Sequence, residues 1–418
     1  MMRSMNSAVS ALRNHQLRMD VIGNNIANVN TIGYKSSRVT FKDSLSQMLR
    51  GASGPDDNRG GTNPQQVGLG MDLSSIDTVF STGVPDRTDR GLDAMVNGEG
   101  FFMVSADGTD NGMYYTRAGN FDIDEDGNLV NADGLRVLGY KADDKGEVGT
   151  EIGGIIVPLA DSIPPKPTEN VVMEGNLDAR TADGEEGRTT EITVTDSLGT
   201  SHKISLAFTK VGENQWEFTP IAVNGGAVTF DPASDISIEF DSEGQFVSVD
   251  SNTDGILSME ITGLGTGATE PLEFDVDLSS LTQYGSESNA LMRSQDGSPV
   301  GVLTSYAIGQ KGEVEGVFSN GRTKILGQIA TSIFANPAGL VKMGGNLYRS
   351  SANSGDAQVN KPGNGGNGGL QPGALEMSNV DLGKEFTNMI VTQRGFQANS
   401  RIISTTDQML EELVNLKR

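Results

Sequence analysis

Residues 378–414 read SNVDLGKEFTNMIVTQRGFQANSRIISTTDQMLEELV, and the spacing of the large side chains in this stretch decides how the rest of the chain is read. Leu382, Phe386, Met389, Phe396, Ile403, Leu410 and Val414 recur at intervals of three and four once Gln393, Ser400 and Asp407 fill the gaps. That is the a/d stripe of a coiled coil, and no proline interrupts it. Ser378 followed three residues later by Asp381 reads as a capping box, so the helix is expected to begin near Asn379. An amphipathic helix of this kind is marginal in water without something to pack against.

The opposite end of the chain repeats the pattern over a shorter span. Met5, Val9, Leu12, Gln16, Met19 and Ile26 keep the same spacing, and the helix is expected to end between Asn28 and Asn30, before Gly33. Two helical ends with polar residues set into each stripe point to partner-seeking helices. Breaker-rich segments lie just inside them, GASGPDDNRGGTNPQQVGLG at 51–70 and KPGNGGNGGLQPG at 361–373, and read as connectors.

Between the connectors the period changes to two. Ile192 and Val194 alternate with threonine, a turn follows at 196–199, and Ile204, Leu206 and Phe208 alternate again, as do Trp216 with Phe218 and Ile236, Ile238 with Phe240. Short alternating runs of this kind predict a sandwich or barrel. The proline cluster IPPKP at 163–167 marks an expected domain entry. The fold class is a mainly β body of nested domains, with N- and C-terminal helices forming a coiled-coil-like assembly layer. The layout is a helix over 1–30, an extended connector over 31–72, the first part of an inner β domain over 73–146 and an inserted outer β domain over 147–299. The second part of the inner domain follows over 300–360, then a Gly-rich connector over 361–377 and the C-terminal helix over 378–418.

Charge follows the same division. The 418-residue chain has a net charge of −24, and residues 147–299 hold 27 acids against 6 bases, a net of −21. Such a segment stays soluble and repels nucleic acid and anionic membranes. There is no cysteine, which removes disulfides, thiolate metal sites and thiol nucleophiles. No run of 18 apolar residues and no signal-peptide core is present in the sequence, which by itself reads as cytoplasmic.

Catalytic and metal motifs are sparse. His15 and His202 lie in different segments and neither has a metal-spaced partner or a GxSxG serine. GLGTG at 263–267 reads as a turn. Asp122-Ile123-Asp124-Glu125-Asp126-Gly127 matches the first half of a calcium loop, but the twelfth position is Asp133 rather than a bidentate glutamate. Phe121 and Ile123 on one side and Leu129 and Val130 on the other favour a hairpin turn instead. No cofactor, no metal and no enzymatic activity are expected.

Five separated stretches resemble the flagellar rod and hook axial protein family. These are NNIANVNTIGYK at 24–35, GEGFFMV at 98–104, YTRAGNFDIDEDGNLVNADGLRVLGY at 115–140, GALEMSNVDL at 373–382 and QRGFQANSRIISTTDQML at 393–410. The outer insertion, with GNLDA at 175–179 and VTDSLGTSHKISLAF at 194–208, resembles the hook members rather than the rod members, and FSNGRTKILGQIATSIFANPAGL at 318–340 resembles their return strand. The resemblance implies a structural subunit that self-assembles into a curved tube acting as a universal joint between rod and filament. It implies as partners other copies of itself, the rod, the hook-cap and hook–filament junction proteins and the export apparatus, with no nucleic acid and no membrane insertion. It also implies export to the flagellum without a cleaved signal, which reverses the cytoplasmic reading. A distal rod protein and a secreted β-rich adhesin with helical ends are the alternatives.

A nested chain path predicts that the terminal helices run antiparallel, with Ile26 near Gln393, Met19 near Ser400 and Met5 near Val414. Leu12 would then face Asp407 and bring Arg13 beside it, an Arg13–Asp407 contact within one subunit or between neighbours.

Overall fold

A computed structural model describes residues 2–55, 60–109, 112–143, 146–159, 162–223, 229–231, 236–250, 252–264 and 267–415. The chain forms two compact units. The first comprises 1–158, 306–316 and 324–418, and the second comprises 159–305 and 317–323.

The second unit is a sandwich of two five-stranded sheets. One runs in the order Thr229–Asp231, Ile256–Thr262, Leu272–Tyr284, Asn170–Asp178, Leu291–Gln295, with Asn170–Asp178 and Leu272–Tyr284 parallel. The other runs Glu186–Thr195, Ser201–Gly212, Gln215–Val223, Ile236–Phe240, Phe246–Val249 in strict antiparallel sequence order. The alternating residues read from the sequence are the ones that meet between the sheets. Ile192, Val194, Ile204, Leu206, Phe208, Trp216, Phe218 and Ile238 are all fully buried in one cluster with Val276 and Leu278. Period-2 patterning puts one face of each sheet inward, so two such faces close a core about one residue deep on each side.

The first unit is built around Phe101–Ser105, every residue of which is buried. It pairs with Tyr114–Thr116, Arg136–Ala142 and Thr331–Ile333. A continuous apolar run is what a strand covered on both faces needs. Phe101 makes edge-to-face contacts with Phe80, Phe334 and Tyr348 at ring separations of 5.4–5.9 Å. Val148–Gly154 pairs with Arg136–Ala142, so the sheet holds residues 148–154 inside this unit rather than in the insertion.

Neither connector is a free linker. Ser37–Asp43 pairs with Met71–Thr78, and Ser46–Arg50 pairs with Gln65–Gly68, which turns 37–78 into a long antiparallel ribbon; residues 56–59 near its tip lie outside the described residues. The Gly-rich segment returns as two strands, Gly369–Pro372 on Ala94–Asn97 and Ala374–Glu376 on Pro85–Arg87. Its glycines serve close approach as well as turning: a Cβ on Gly368 would sit 2.2 Å from the Asn97 carbonyl oxygen, and Gly363, Gly365 and Gly366 all take positive φ. A run of glycines reads as flexibility only when nothing packs against it.

The calcium-like loop is a hairpin between Asp122–Ile123 and Leu129–Val130. Asp124 accepts bonds from the Asn128 backbone and side-chain amides at 2.7 and 2.8 Å, which holds its carboxyl below the usual carboxylate range. Residues 265–266 of the GLGTG stretch lie outside the described residues.

Candidate assembly interface

Helix α1 spans Met2–Ala27 and helix α2 spans Leu382–Asn415. Asp381 caps α2, accepting from the Gly383 and Lys384 amides at 2.8 and 3.2 Å. The cap therefore falls at Asp381 and not at Ser378, whose hydroxyl accepts only a long 3.4 Å bond from Val380. An aspartate at this position suits the positive end of the helix.

The two helices lie antiparallel. Gly395 faces His15, where an added Cβ would sit 3.0 Å from Nε2, and the Arg18 guanidinium reaches the Asn388 amide oxygen at 3.4 Å. This fixes the register and corrects the expected one. Leu12 falls near Phe396 rather than at Asp407, about ten residues away or roughly 15 Å along the axis. The Arg13–Asp407 pair is therefore not made within one chain, and both side chains are exposed. A heptad repeat offers the same pattern every seven residues and so does not by itself set how far one helix slides along another.

The face of contact also differs from the stripe. Buried in α1 are Ala8, Ala11, Ile22 and Asn25, and in α2 Thr392 and Thr406. Each of Ala8, Ala11, Asn25, Thr392 and Thr406 sits one position before a stripe residue, so the helices meet on faces rotated by roughly 100° from the stripes. Met5, Val9, Leu12, Met19 and Ile26 are half-buried at the margin of the α1 seam, and Met389, Phe396, Ile403 and Leu410 are half-buried in α2. Leu382, Phe386 and Val414 are exposed, Phe386 at 50 % and Val414 at 68 %. Ile390, Val391, Ile402, Met409 and Leu413 are exposed as well.

Three polar side chains of α2 are satisfied by α2 itself. Thr392 and Thr406 donate to the carbonyls of Asn388 and Ile402 at 2.7 Å, and Asn399 to that of Gly395 at 2.9 Å. The inner contact is made by small side chains, and large apolar side chains of α2 face outward. An apolar stripe this wide on a helix surface marks a protein-interaction face.

The roots of the helices are fixed by groups that periodicity does not flag. Glu376 is fully buried. Its carboxylate accepts from Lys35 at 2.6 Å, from Arg117 at 3.4 Å and from the Gly83 amide at 2.8 Å. Lys35 also donates to the Ser81 carbonyl at 2.7 Å, and Arg117 to that of Gly98 at 2.8 Å. Burial pulls the Lys35 and Arg117 pKa values down, and the Glu376 charge works against that fall. Around the triad, Asn25 exchanges two bonds with Ser37, Tyr34 donates to Asn24, and Asn379 accepts from Ser36 while donating to the Val79 carbonyl. Lys35, Arg117 and Glu376 each come from a different one of the quoted stretches NNIANVNTIGYK, YTRAGNF and GALEMSN. The signal that could have found them is a single charged residue inside an otherwise uncharged motif.

His202 lies in the second unit, bonded to Asp196 at 3.0 Å, and His15 lies in the helix seam. Neither is near the other, and among the described residues no group of acidic or histidine side chains is arranged to hold a metal ion. No helix among them is long and apolar enough to cross a membrane.

Comparison with known proteins places these features. Four family models match along the chain: Flagella basal body rod protein at 5–35, Flagellar hook protein FlgE/F/G D1 domain at 95–195, Flagellar basal body protein FlaE D2 domain at 164–298 and Flagellar basal body rod FlgEFG protein C-terminal at 371–416. The chain is 41% identical to the flagellar hook protein FlgE of Borreliella burgdorferi and 38% identical to that of Treponema pallidum, in both cases over 100% of either chain. It is also 34% identical to the flagellar basal-body rod protein FlgG of Bacillus subtilis, again over 100% of both. The solved Helicobacter pylori hook protein FlgE2 is more distant, 15% identical and covering 70% of this chain and 100% of its own, with a TM-score of 0.47. With a helix pair at the ends of a nested β body and full-length identity at this level, the chain belongs to the flagellar hook protein family.

Proposed function

We propose that this chain is the polymerising subunit of the flagellar hook, joined to its neighbours through the outward faces of α1 and α2. The observation that carries this reading is the inversion of the helix pair: Phe386, Ile390, Val391, Ile402, Met409 and Leu413 are exposed while Ala8, Ala11, Thr392 and Thr406 are inside. Only further copies can bury that surface in a homopolymer. The stripe residues Met5, Val9, Leu12, Met19, Ile26, Leu382, Phe386, Met389, Phe396, Ile403, Leu410 and Val414 supply the contacts. The ribbon at 46–50 and 65–68 adds a second surface, since Leu45, Met48, Leu49 and Val67 are exposed and a two-stranded hairpin alone is marginal in water.

The role is mechanical and not enzymatic. An inner layer of helices keeps continuity while outer sandwiches of like charge slide past one another, which lets the tube bend as a universal joint. The rod, the cap and the hook–filament junction proteins are its partners along the axis, and the chain travels through the flagellar export apparatus without a cleaved signal.

The distal rod protein is the second reading, favoured by the Bacillus subtilis relative, which matches over its whole length. Electron microscopy of the purified, polymerised chain separates the two. Short curved tubes support the hook, straight tubes support the rod, and discrete particles would remove both.

A further inference from the structure

Four Asn-Gly pairs lie among the described residues, at 97–98, 320–321, 364–365 and 367–368. At such a pair a side-chain amide can be lost without an enzyme, because glycine places no Cβ beside the backbone nitrogen that attacks the asparagine Cγ. The attack needs that nitrogen free and the asparagine able to turn toward it. Three of the pairs are held. Asn320 donates to the Pro299 carbonyl at 2.9 Å, and the Gly321 amide donates to that of Phe318 at 2.9 Å. Asn367 is buried and donates to the Thr331 carbonyl and hydroxyl at 2.8 and 2.7 Å, while the Gly368 amide donates to the Glu99 carbonyl at 2.7 Å. Asn97 ends a strand, paired with Gly369, and the Gly98 carbonyl accepts from Arg117 at 2.8 Å. Asn364 differs. It stands in a turn whose residues 363–366 are all exposed, and among the described residues neither its side chain nor the Gly365 amide makes a hydrogen bond.

We infer that Asn364 is a site of spontaneous deamidation, with water as its co-reactant. The Gly365 nitrogen attacks the Asn364 Cγ and gives up its proton, the side-chain nitrogen leaves as ammonia, and a cyclic imide remains. Water then opens the imide. Cleavage at Cγ gives aspartate, and cleavage at the backbone carbonyl gives isoaspartate. One water is consumed for each ammonia released, and nothing is oxidised or reduced. The product carboxylate adds a negative charge next to Lys361, whose carbonyl accepts from the Asn364 amide at 3.1 Å, in an opening that Lys311 also lines. Isoaspartate lengthens the backbone by one methylene just before the return strand Gly369–Pro372, whereas aspartate leaves its length unchanged.

The test incubates the full-length chain at mildly alkaline pH, folded and in denaturant. Each Asn-Gly pair is followed by peptide mass spectrometry, and isoaspartyl methyltransferase labelling measures the rearranged product. Asn364 is expected to convert in the folded chain at close to its rate in denaturant. Asn97, Asn320 and Asn367 should slow by about tenfold or more on folding, because they react only after local opening. Asn364→Gln, whose longer side chain cyclises poorly, is expected to remove the fast conversion and leave the circular dichroism unchanged. Suppression of the Asn364 reaction by folding as strong as that at Asn320 and Asn367 would overturn the assignment. So would a faster reaction at one of the other three pairs, or a fast conversion of the turn that persists in Asn364→Gln.

Discussion

The sandwich and the terminal helix pair use the same apolar residues to opposite ends. In the sandwich the large side chains turn inward, and Phe208, Trp216 and Phe218 are fully buried. In α2 the large side chains turn outward, and threonine, glycine and asparagine make the inner contact. The sandwich completes its core within one chain. The helix pair leaves large side chains exposed, so in the assembly proposed above its folding free energy depends on the concentration of other copies. Stability measured on a monomer therefore reports chiefly on the sandwich and the inner unit, and stability of a tube reports on the helices.

The largest effect that can sharpen this contrast lies at the root of the helices. Glu376→Ala leaves Lys35 and Arg117 buried without a counter-charge, and should cost about 3–5 kcal/mol of monomer stability in chemical denaturation. A loss below about 1 kcal/mol would mean that the triad relaxes into water and does not anchor the ends.

Phe208→Ala in the sandwich should cost about 3 kcal/mol or more through the cavity it leaves, read from the fluorescence of Trp216, the single tryptophan of the chain. Phe386→Ala should barely move the same monomer transition, within about 0.5 kcal/mol, because its ring is half exposed. It should nevertheless raise the concentration needed for polymerisation. Equal monomer losses for the two phenylalanines would break the comparison.

The helix pair should also respond to pH. Burial and the neighbouring Arg18 lower the His15 pKa from 6.5, so the folded seam holds a proton less readily than the open chain. At pH above 6.5 both forms are neutral and nothing is lost. As pH falls below 6.5 the open state gains the proton first, and the seam weakens. Hydrogen exchange in α1 should therefore quicken between about pH 6.5 and pH 5 in the wild type and stay flat in His15→Gln. An unchanged profile in the variant would rule His15 out as the source.

The smallest effect concerns Arg13 and Asp407. In the monomer their substitutions to glutamine and asparagine should add within about 0.5 kcal/mol, because the register keeps them apart. Coupling that appears only in polymerised tubes would place the pair between copies.

Much of this was legible in the sequence for identifiable reasons. Period-2 runs at 192–240 named the inward residues of one sheet of the sandwich, because a strand's two faces are fixed by its pleat; the other sheet's core residues, Val171, Met173, Leu257 and Phe274 among them, were not named. The 4-3 spacing at 382–414 identified the helix, with Phe386 and Val414 exposed and Met389, Phe396, Ile403 and Leu410 half-buried. The hairpin at 122–130 was legible because Ile123 and Leu129 flank an Asp-Gly-Asn turn. Glycine runs misled, since Gly368 and its neighbours serve close packing, which depends on what lies opposite and not on the run itself.

By itself the sequence determined the two terminal helices, the β character of the body between them, the faces of one sheet of the sandwich and the family, since these rest on local periodicity and on motifs of contiguous residues. Only the tertiary structure decided the helix register, the 100° rotation of the seam away from the stripe and the convergence of Lys35, Arg117 and Glu376. Lys35 and Glu376 lie 341 positions apart in the chain. No local pattern carries the information that two such residues share a charge, because it is fixed by the path of the backbone between them.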